Sequence, residues 1–119
     1  MTLPGAALVA AAAADAKLGR ETVVLAMEEA LGVVDAFVVT SGRNVRQVKT
    51  ICEEVEQQVK TRAGRSPLRV EGLRDATWVL MDYGDFVVHV FLEELRSFYD
   101  LEHLWIGAPR VRWREEATG

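Results

Sequence analysis

The segment Thr77–Trp105 constrains the fold of this chain most, because it combines two apolar runs with a tight-turn signal. The runs Thr77–Asp82 and Phe86–Phe91 flank the pair Gly84-Asp85. A pair of this type between two such runs favours a two-residue β-hairpin turn. The segment therefore predicts a hairpin, followed by a helix over residues 92–105.

With this turn, strand alternation divides the side chains of the hairpin between two faces. The first face is apolar except for one hydroxyl and should lie against helices: Val79, Met81, Tyr83, Phe86, Val88 and Val90. The second face mixes an indole, a carboxylate and an imidazole with apolar groups: Trp78, Leu80, Asp82, Val87, His89 and Phe91. Such a mixture is typical of a protein–protein interface, so the second face is the candidate binding surface.

The polar residues of the hairpin also have structural interpretations. Trp78 can be a packed core residue, because tryptophan is usually highly buried. Asp82 and Asp85 can serve the turn, since aspartate is common in hairpin turns. His89 can be a structural histidine that is hydrogen-bonded to Asp82, which lies diagonally across the ladder. The sequence leaves structural and interfacial roles open.

Periodic patterns predict the remaining elements. An alanine-rich helix is expected over Ala6–Leu18, and Gly19 should end it. Asn44 should cap a long helix, with Gln47 as a capping-box partner and apolar residues at spacings of three and four. Short apolar runs predict three more strands: Glu21–Met27, Asp35–Thr40 and Leu68–Glu71. The order α-β-β-α-β-β-β-α indicates an α/β or α+β fold.

Length and composition fit one globular domain. The chain has 119 residues, of which 50% are hydrophobic and 27% charged. We expect a domain over residues 1–109 and a polar tail over residues 110–119.

No run reaches the roughly 18–20 apolar residues that span a bilayer, and Ala6–Ala14 lacks the basic flank of a signal peptide. The single Cys52 cannot form an internal disulfide, which fits a reducing compartment.

The net charge of −4 bears on the kind of partner. A domain that binds nucleic acid directly usually has a basic surface, because phosphate contacts supply most of its affinity. An acidic domain is better suited to a basic protein. The charge therefore favours a protein partner over direct, sequence-specific binding of nucleic acid.

Candidate catalytic groups are sparse. Ser41-Gly42 invites comparison with the Gly-Ser of nucleotidyltransferases, although it should mainly lead into the long helix. Those enzymes hold Mg²⁺ between two neighbouring carboxylates, whereas Asp82 and Asp85 lie three residues apart across a turn. Cys52 is expected to be a small buried hydrophobe, and the two histidines lack metal-ligand spacing. No cofactor or metal is predicted, and a small nucleotidyltransferase-related enzyme is the alternative function.

Several blocks, spread over residues 20–109, resemble the ribosomal silencing factors of the Iojap family. They are Asp35–Gly42, Arg46–Val48, Val70–Gly72, and Trp78–Asp85 running into Val88–Phe91. The last block continues through Arg96, Phe98-Tyr99, Leu101-Glu102 and Leu104-Trp105. The agreement of independent blocks is more specific than any one of them. The resemblance implies a mixed five-stranded sheet packed with helices, akin to the nucleotidyltransferase core.

The same resemblance implies a function without catalysis. Members of the family dock on a protein of the large ribosomal subunit at the intersubunit face, block joining of the small subunit and so repress translation when nutrients are scarce. A role in large-subunit biogenesis, a cytoplasmic location and a homodimer in the free state are also implied. Trp78, Asp82 and Tyr83 are implied partner contacts, and the strand alternation adds Leu80 and His89.

Overall fold

The computed structural model describes residues 4–27, 34–99, 109–111 and 113, and these form an α+β fold with a mixed sheet. The helices are α1 (Gly5–Ala16), α2 (Val45–Ala63) and α3 (Glu93–Tyr99). The strands are β1 (Arg20–Ala26), β2 (Ala36–Gly42), β3 (Arg69–Glu71), β4 (Trp78–Asp82), β5 (Phe86–Leu92) and β6 (Arg110–Val111). Their order in the sheet is β3-β4-β5-β2-β1-β6, and only β2 and β5 pair in parallel.

The predicted class and element order are confirmed through α3, but the prediction of five strands was wrong. A sixth strand, Arg110–Val111, pairs antiparallel with β1. Beyond it, Trp113 Nε1 donates a hydrogen bond of 3.0 Å to the carbonyl oxygen of Thr22. A two-residue strand has no periodic signal, so the sequence predicts only a polar tail at residues 110, 111 and 113. The domain boundaries and the likeness to the nucleotidyltransferase core stay predictions, and residues 100–105 of the predicted last helix lie outside the described part.

Helices α1 and α2 cover one face of the sheet and form the main core with it. The side chains that α1 buries are all small: Ala6, Ala7, Ala10, Ala11, Ala13 and Ala14. The longer α2 buries the predicted row at spacings of three and four: Val48, Ile51, Cys52, Val55 and Val59. None of the helices in the described residues is long and apolar enough to cross a membrane.

The start of α2 is capped from within the chain. Asn44 Oδ1 accepts a hydrogen bond of 2.8 Å from the Gln47 amide, as predicted. In a standard capping box the Gln47 side chain would accept a hydrogen bond from the Asn44 amide. Here Gln47 Oε1 accepts instead from the amide of the preceding residue, Arg43, at 2.6 Å. Gln47 Nε2 also donates to the carbonyl oxygens of Lys17 and Leu18 at 3.1 and 3.2 Å. These bonds tie the start of α2 to the end of α1.

The opposite face of the sheet carries a second apolar cluster. Its buried members are Leu25, Met27, Phe37, Val39, Val87 and Phe91, and partly buried side chains around it include Val23, Val34, Trp78 and Leu80. Strands β1, β2 and β5 therefore bury side chains on both faces, as interior strands of a mixed sheet do. The second hairpin face lies on this side of the sheet.

Candidate partner-binding site

The β4–β5 hairpin has the register that the sequence predicts. The paired residues are Trp78 with Phe91, Val79 with Val90, Leu80 with His89, Met81 with Val88 and Asp82 with Val87. The Tyr83 amide donates to the Phe86 carbonyl oxygen at 3.0 Å and closes a two-residue turn. Gly84 has a φ of +95°, a conformation that favours glycine. The alternation between the two faces follows directly from this register.

Arg65, which follows the end of α2, holds the hairpin turn in place. Its guanidinium donates to both carboxylate oxygens of Asp85, at 2.6 and 3.2 Å. It also donates to the Tyr83 carbonyl oxygen at 2.7 Å and lies 5.3 Å from the ring centre of Phe86. The hydrogen bonds with Asp85 raise the pKa of Arg65. Asp85 thus serves the turn, and its partner lies 20 residues earlier, where no local pattern reveals it.

Trp78 is fixed on the second face by two contacts. Its Nε1 donates a hydrogen bond of 3.1 Å to His89 Nδ1. Its ring stacks on Phe91, with 5.2 Å between ring centres and 29° between planes. The side chain is only half-buried, so one part is packed while another reaches solvent. The packed part agrees with the core interpretation of Trp78, and its contact with a partner stays a prediction.

His89 is buried beneath Trp78, with 4% of its surface exposed. The interpretation that His89 bonds to Asp82 was wrong, because Trp78 supplies the donor to Nδ1. An accepting Nδ1 places the proton of the neutral ring on Nε2, which has no hydrogen-bond partner in the described structure. The ring centre lies 4.6 Å from that of Phe37, and burial lowers the pKa of His89 to about 4. His89 is therefore neutral at pH 7 and acts here as a support for the indole.

Asp82 and Leu80 continue the half-buried row along β4. Asp82 Oδ1 accepts a hydrogen bond of 2.8 Å from the Gly84 amide, so this carboxylate does serve the turn. Its Oδ2 lies 3.5 Å from Arg69 Nε on the neighbouring strand β3. Trp78, Leu80 and Asp82 alternate with buried residues, and their side chains share one partly accessible face.

Tyr83 is separated from the other predicted contacts. It is 3% exposed and belongs to the main core on the helical side of the sheet. Its ring stacks on Phe86 with 4.6 Å between centres, and burial raises the pKa of Tyr83 to about 12. Four of the five predicted site residues are thus together: Trp78, Leu80, Asp82 and His89.

The candidate catalytic residues Ser41 and Cys52 take part in contacts that hold the fold together. Arg96 is buried and donates to Ser41 Oγ at 2.8 Å and to the Arg20 carbonyl oxygen at 3.1 Å. The Ser41 hydroxyl therefore anchors α3, while Ser41 and Gly42 end β2 just before the α2 cap Asn44, as predicted. Cys52 is a buried apolar-face residue, as predicted, and burial raises its pKa to about 12. Across residues 4–27, 34–99, 109–111 and 113, no group of three His, Cys, Asp or Glu side chains could hold a metal ion.

The fold and the hairpin define a small α+β protein with a partly exposed surface patch. In this patch Trp78 is held by His89 and Phe91, and Asp82 is held by the Gly84 amide. Its sequence matches the family described as "Ribosomal silencing factor during starvation" over residues 1–118, and the chain belongs to this family. It is 42% identical over 101 residues to the ribosomal silencing factor RsfS of Bacillus subtilis, which covers 85% of each chain. The resemblance found in the sequence is confirmed. Family membership also confirms the prediction of a non-enzymatic, ribosome-binding regulator.

Two further relatives extend the comparison. A crystal structure of a Chromobacterium violaceum protein, 30% identical in sequence, has a TM-score of 0.82 and covers 99% of this chain and 97% of that one. A mouse protein named "Mitochondrial assembly of ribosomal large subunit protein 1" is 30% identical over 88 residues. That match covers 72% of this chain and 39% of the mouse protein.

Proposed function

We propose that this chain represses translation by binding a protein of the large ribosomal subunit at the intersubunit face. Bound there, it excludes the small subunit sterically, especially under nutrient limitation. The family match over residues 1–118 carries this proposal. The name of the mouse relative supports a further role in large-subunit biogenesis. Similarity to a bacterial silencing factor supports a cytoplasmic location.

The contact surface in this proposal is the accessible side of the second hairpin face. Trp78, Leu80 and Asp82 touch the partner, and His89 holds the indole from below. A half-buried tryptophan is the type of residue that anchors protein interfaces. Steric exclusion requires no catalytic group, only an interface strong enough to compete with subunit joining.

The acidic charge of the chain supports a basic protein as the partner. The net charge is −4, and the contact row ends in the carboxylate of Asp82. Charge pairs at an interface rim are screened by salt. Binding to large subunits should therefore weaken as salt concentration rises.

The free protein is a homodimer in this proposal and uses part of the same surface. Trp78 and Leu80 are partly exposed apolar side chains, and covering them in a second copy removes this surface from water. The ribosome then competes with self-association. Light scattering at micromolar concentration should give a dimer mass, and a monomer mass would reject this part of the proposal.

The test of the hairpin surface compares two tryptophan truncations. Trp78→Ala should lower the affinity for purified large subunits at least thirtyfold, or about 2 kcal/mol, in co-sedimentation. Trp113→Ala is the matched control, because Trp113 is also half-buried and also donates a hydrogen bond from Nε1. The control lies beside the opposite edge of the sheet and should bind as the wild type does, even if it melts earlier.

A third variant separates the hydrogen bond from Trp78 to His89 from the contact that the aromatic ring makes with the partner. Trp78→Phe keeps an aromatic ring on Phe91 but removes the donor to His89. It should bind more tightly than Trp78→Ala and melt earlier than the wild type. Normal binding by Trp78→Ala, with a folded protein shown by circular dichroism, would exclude the hairpin face as the contact surface.

A further inference from the structure

A cleft of about 790 Å³ lies where α1 ends and α2 begins. Four cations line it, Lys17, Arg20, Arg43 and Arg46, and the only lining carboxylate is that of Asp15. Four of the chain's 14 lysines and arginines therefore line one surface of a protein whose net charge is −4. We call this surface the basic cleft.

The cations of the basic cleft are exposed and largely uncompensated. Within the described part of the chain, Arg20 pairs with Glu93 at 2.7 Å, whereas Lys17, Arg43 and Arg46 have no ion pair. No acidic residue stands in the first turn of α2, where the helix dipole favours negative charge. Arg43 and Arg46 therefore work against the stability of α2, and an anionic ligand would offset that cost.

The side chains, rather than the helix end, would make this site. The Asn44 and Gln47 side chains already accept hydrogen bonds from the Gln47 and Arg43 amides. Three of the four cations are arginines, whose planar guanidinium matches the oxygens of a phosphate group. The cleft offers no set of apolar pockets for peptide side chains, and the one apolar side chain that lines it, Leu18, is 75% exposed. These features favour phosphate over an acidic peptide.

The basic cleft and Trp78 lie at the same end of the sheet. The register places Arg20 opposite Ser41, Ser41 opposite Phe91, and Phe91 opposite Trp78. Three strand spacings separate Arg20 from Trp78, or roughly 15 Å across the sheet. The cleft lies on the helical side of the sheet and Trp78 on the other side, so a partner that meets both must present protein and RNA around this end of the sheet.

We propose that the basic cleft binds the phosphate backbone of an RNA strand and forms a second contact with the large ribosomal subunit. This inference rests on the proposed function and adds RNA to its protein partner. The contact is with phosphates and is therefore independent of base sequence. The hairpin supplies the protein contact, and the basic cleft adds affinity that depends steeply on salt.

The first test is a charge reversal with a matched control on one helix. Arg43→Glu/Arg46→Glu changes the basic cleft, and Lys60→Glu/Arg62→Glu makes the same charge change in the last turn of α2. Binding to large subunits should fall tenfold or more for the first variant only. Its slope of log affinity against log salt should be shallower by about 1.5, for two lost phosphate contacts. Its melting temperature should not fall, since glutamate suits the start of a helix.

The second test identifies the ligand. The anisotropy of a fluorescein-labelled RNA duplex and of labelled polyglutamate is measured with the wild type and both variants. Binding of RNA that only Arg43→Glu/Arg46→Glu weakens supports the proposal. Preference for polyglutamate, or equal large-subunit binding by both variants, overturns it. If the wild type binds RNA but not large subunits, the proposed function fails while the basic cleft remains an RNA site.

Discussion

Protonation of His89 should destabilise the folded protein between pH 6.5 and about 4. In the fold, burial lowers the pKa of His89 from 6.5 to about 4. In the unfolded chain the pKa returns to its ordinary value, so the unfolded state binds more protons in this interval. The free energy of unfolding therefore falls as pH falls through it. Well above pH 6.5 both states are neutral at this residue, and its contribution no longer changes.

The contact with Trp78 gives a structural reason why protonation of His89 should lower the free energy of unfolding. A proton added to Nδ1 would face the indole N–H, which now donates to that atom at 3.1 Å. At 1.36 kcal/mol for each pH unit, the interval from 6.5 to about 4 corresponds to about 3 kcal/mol. Between pH 7 and pH 5 the expected loss is about 2 kcal/mol.

Urea unfolding at pH 7 and pH 5, followed by circular dichroism at constant ionic strength, measures this loss. His89→Phe keeps a planar ring but cannot titrate, so its stability should fall by about 2 kcal/mol less than that of the wild type over the same interval. His103→Phe, which removes the chain's other histidine, is the control. If the wild type and His89→Phe lose stability equally, buried neutral His89 is not the source of the pH dependence.

Two further predictions concern the turn and the thiol. Arg65→Ala removes three hydrogen bonds from the hairpin turn and should lower the free energy of unfolding in urea by about 1–2 kcal/mol, with Arg65→Lys recovering only part. Unchanged stability in Arg65→Ala would contradict the role given to this contact. Cys52 is buried with its pKa raised to about 12, so Ellman's reagent should modify it slowly in the native protein and rapidly in denaturant. Rapid modification of the native thiol would contradict its burial.

The hairpin was predictable because all of its signals are local. The Gly84-Asp85 turn sets the register, and the register decides which side chains share a face. The cap of α2 was predictable for the same reason, since Asn44 and Gln47 are three residues apart. Periodicity likewise identified Cys52 as a buried residue of α2.

The contacts that define the surroundings of the site were not predictable from local patterns. Arg65 meets Asp85 only after the chain folds β3 and β4 back along the end of α2. Tyr83 is the exception, because strand alternation had placed it on the helix-facing side, where its ring joins the main core, although a family block suggested a partner contact. The basic cleft brings together residues from the end of α1, from β1 and from the start of α2. Within its own segment, each of its cations is an ordinary exposed charge. The residues in these contacts are far apart in the sequence and meet only in the folded chain. Local periodicity does not reveal such contacts.

The steric exclusion proposed for this chain would be favoured by a surface that is rigid before the partner arrives. Ordering a long side chain at an interface costs about 0.5–1.5 kcal/mol, and association must offset this cost. In this chain the indole of Trp78 is already held by the His89 hydrogen bond and the Phe91 ring, while Asp82 is held by the Gly84 amide. In the proposed binding mode, the buried and neutral His89 acts without touching the partner, because it fixes the orientation of Trp78, the proposed contact. This explains how structural and interfacial roles can coexist on one hairpin face.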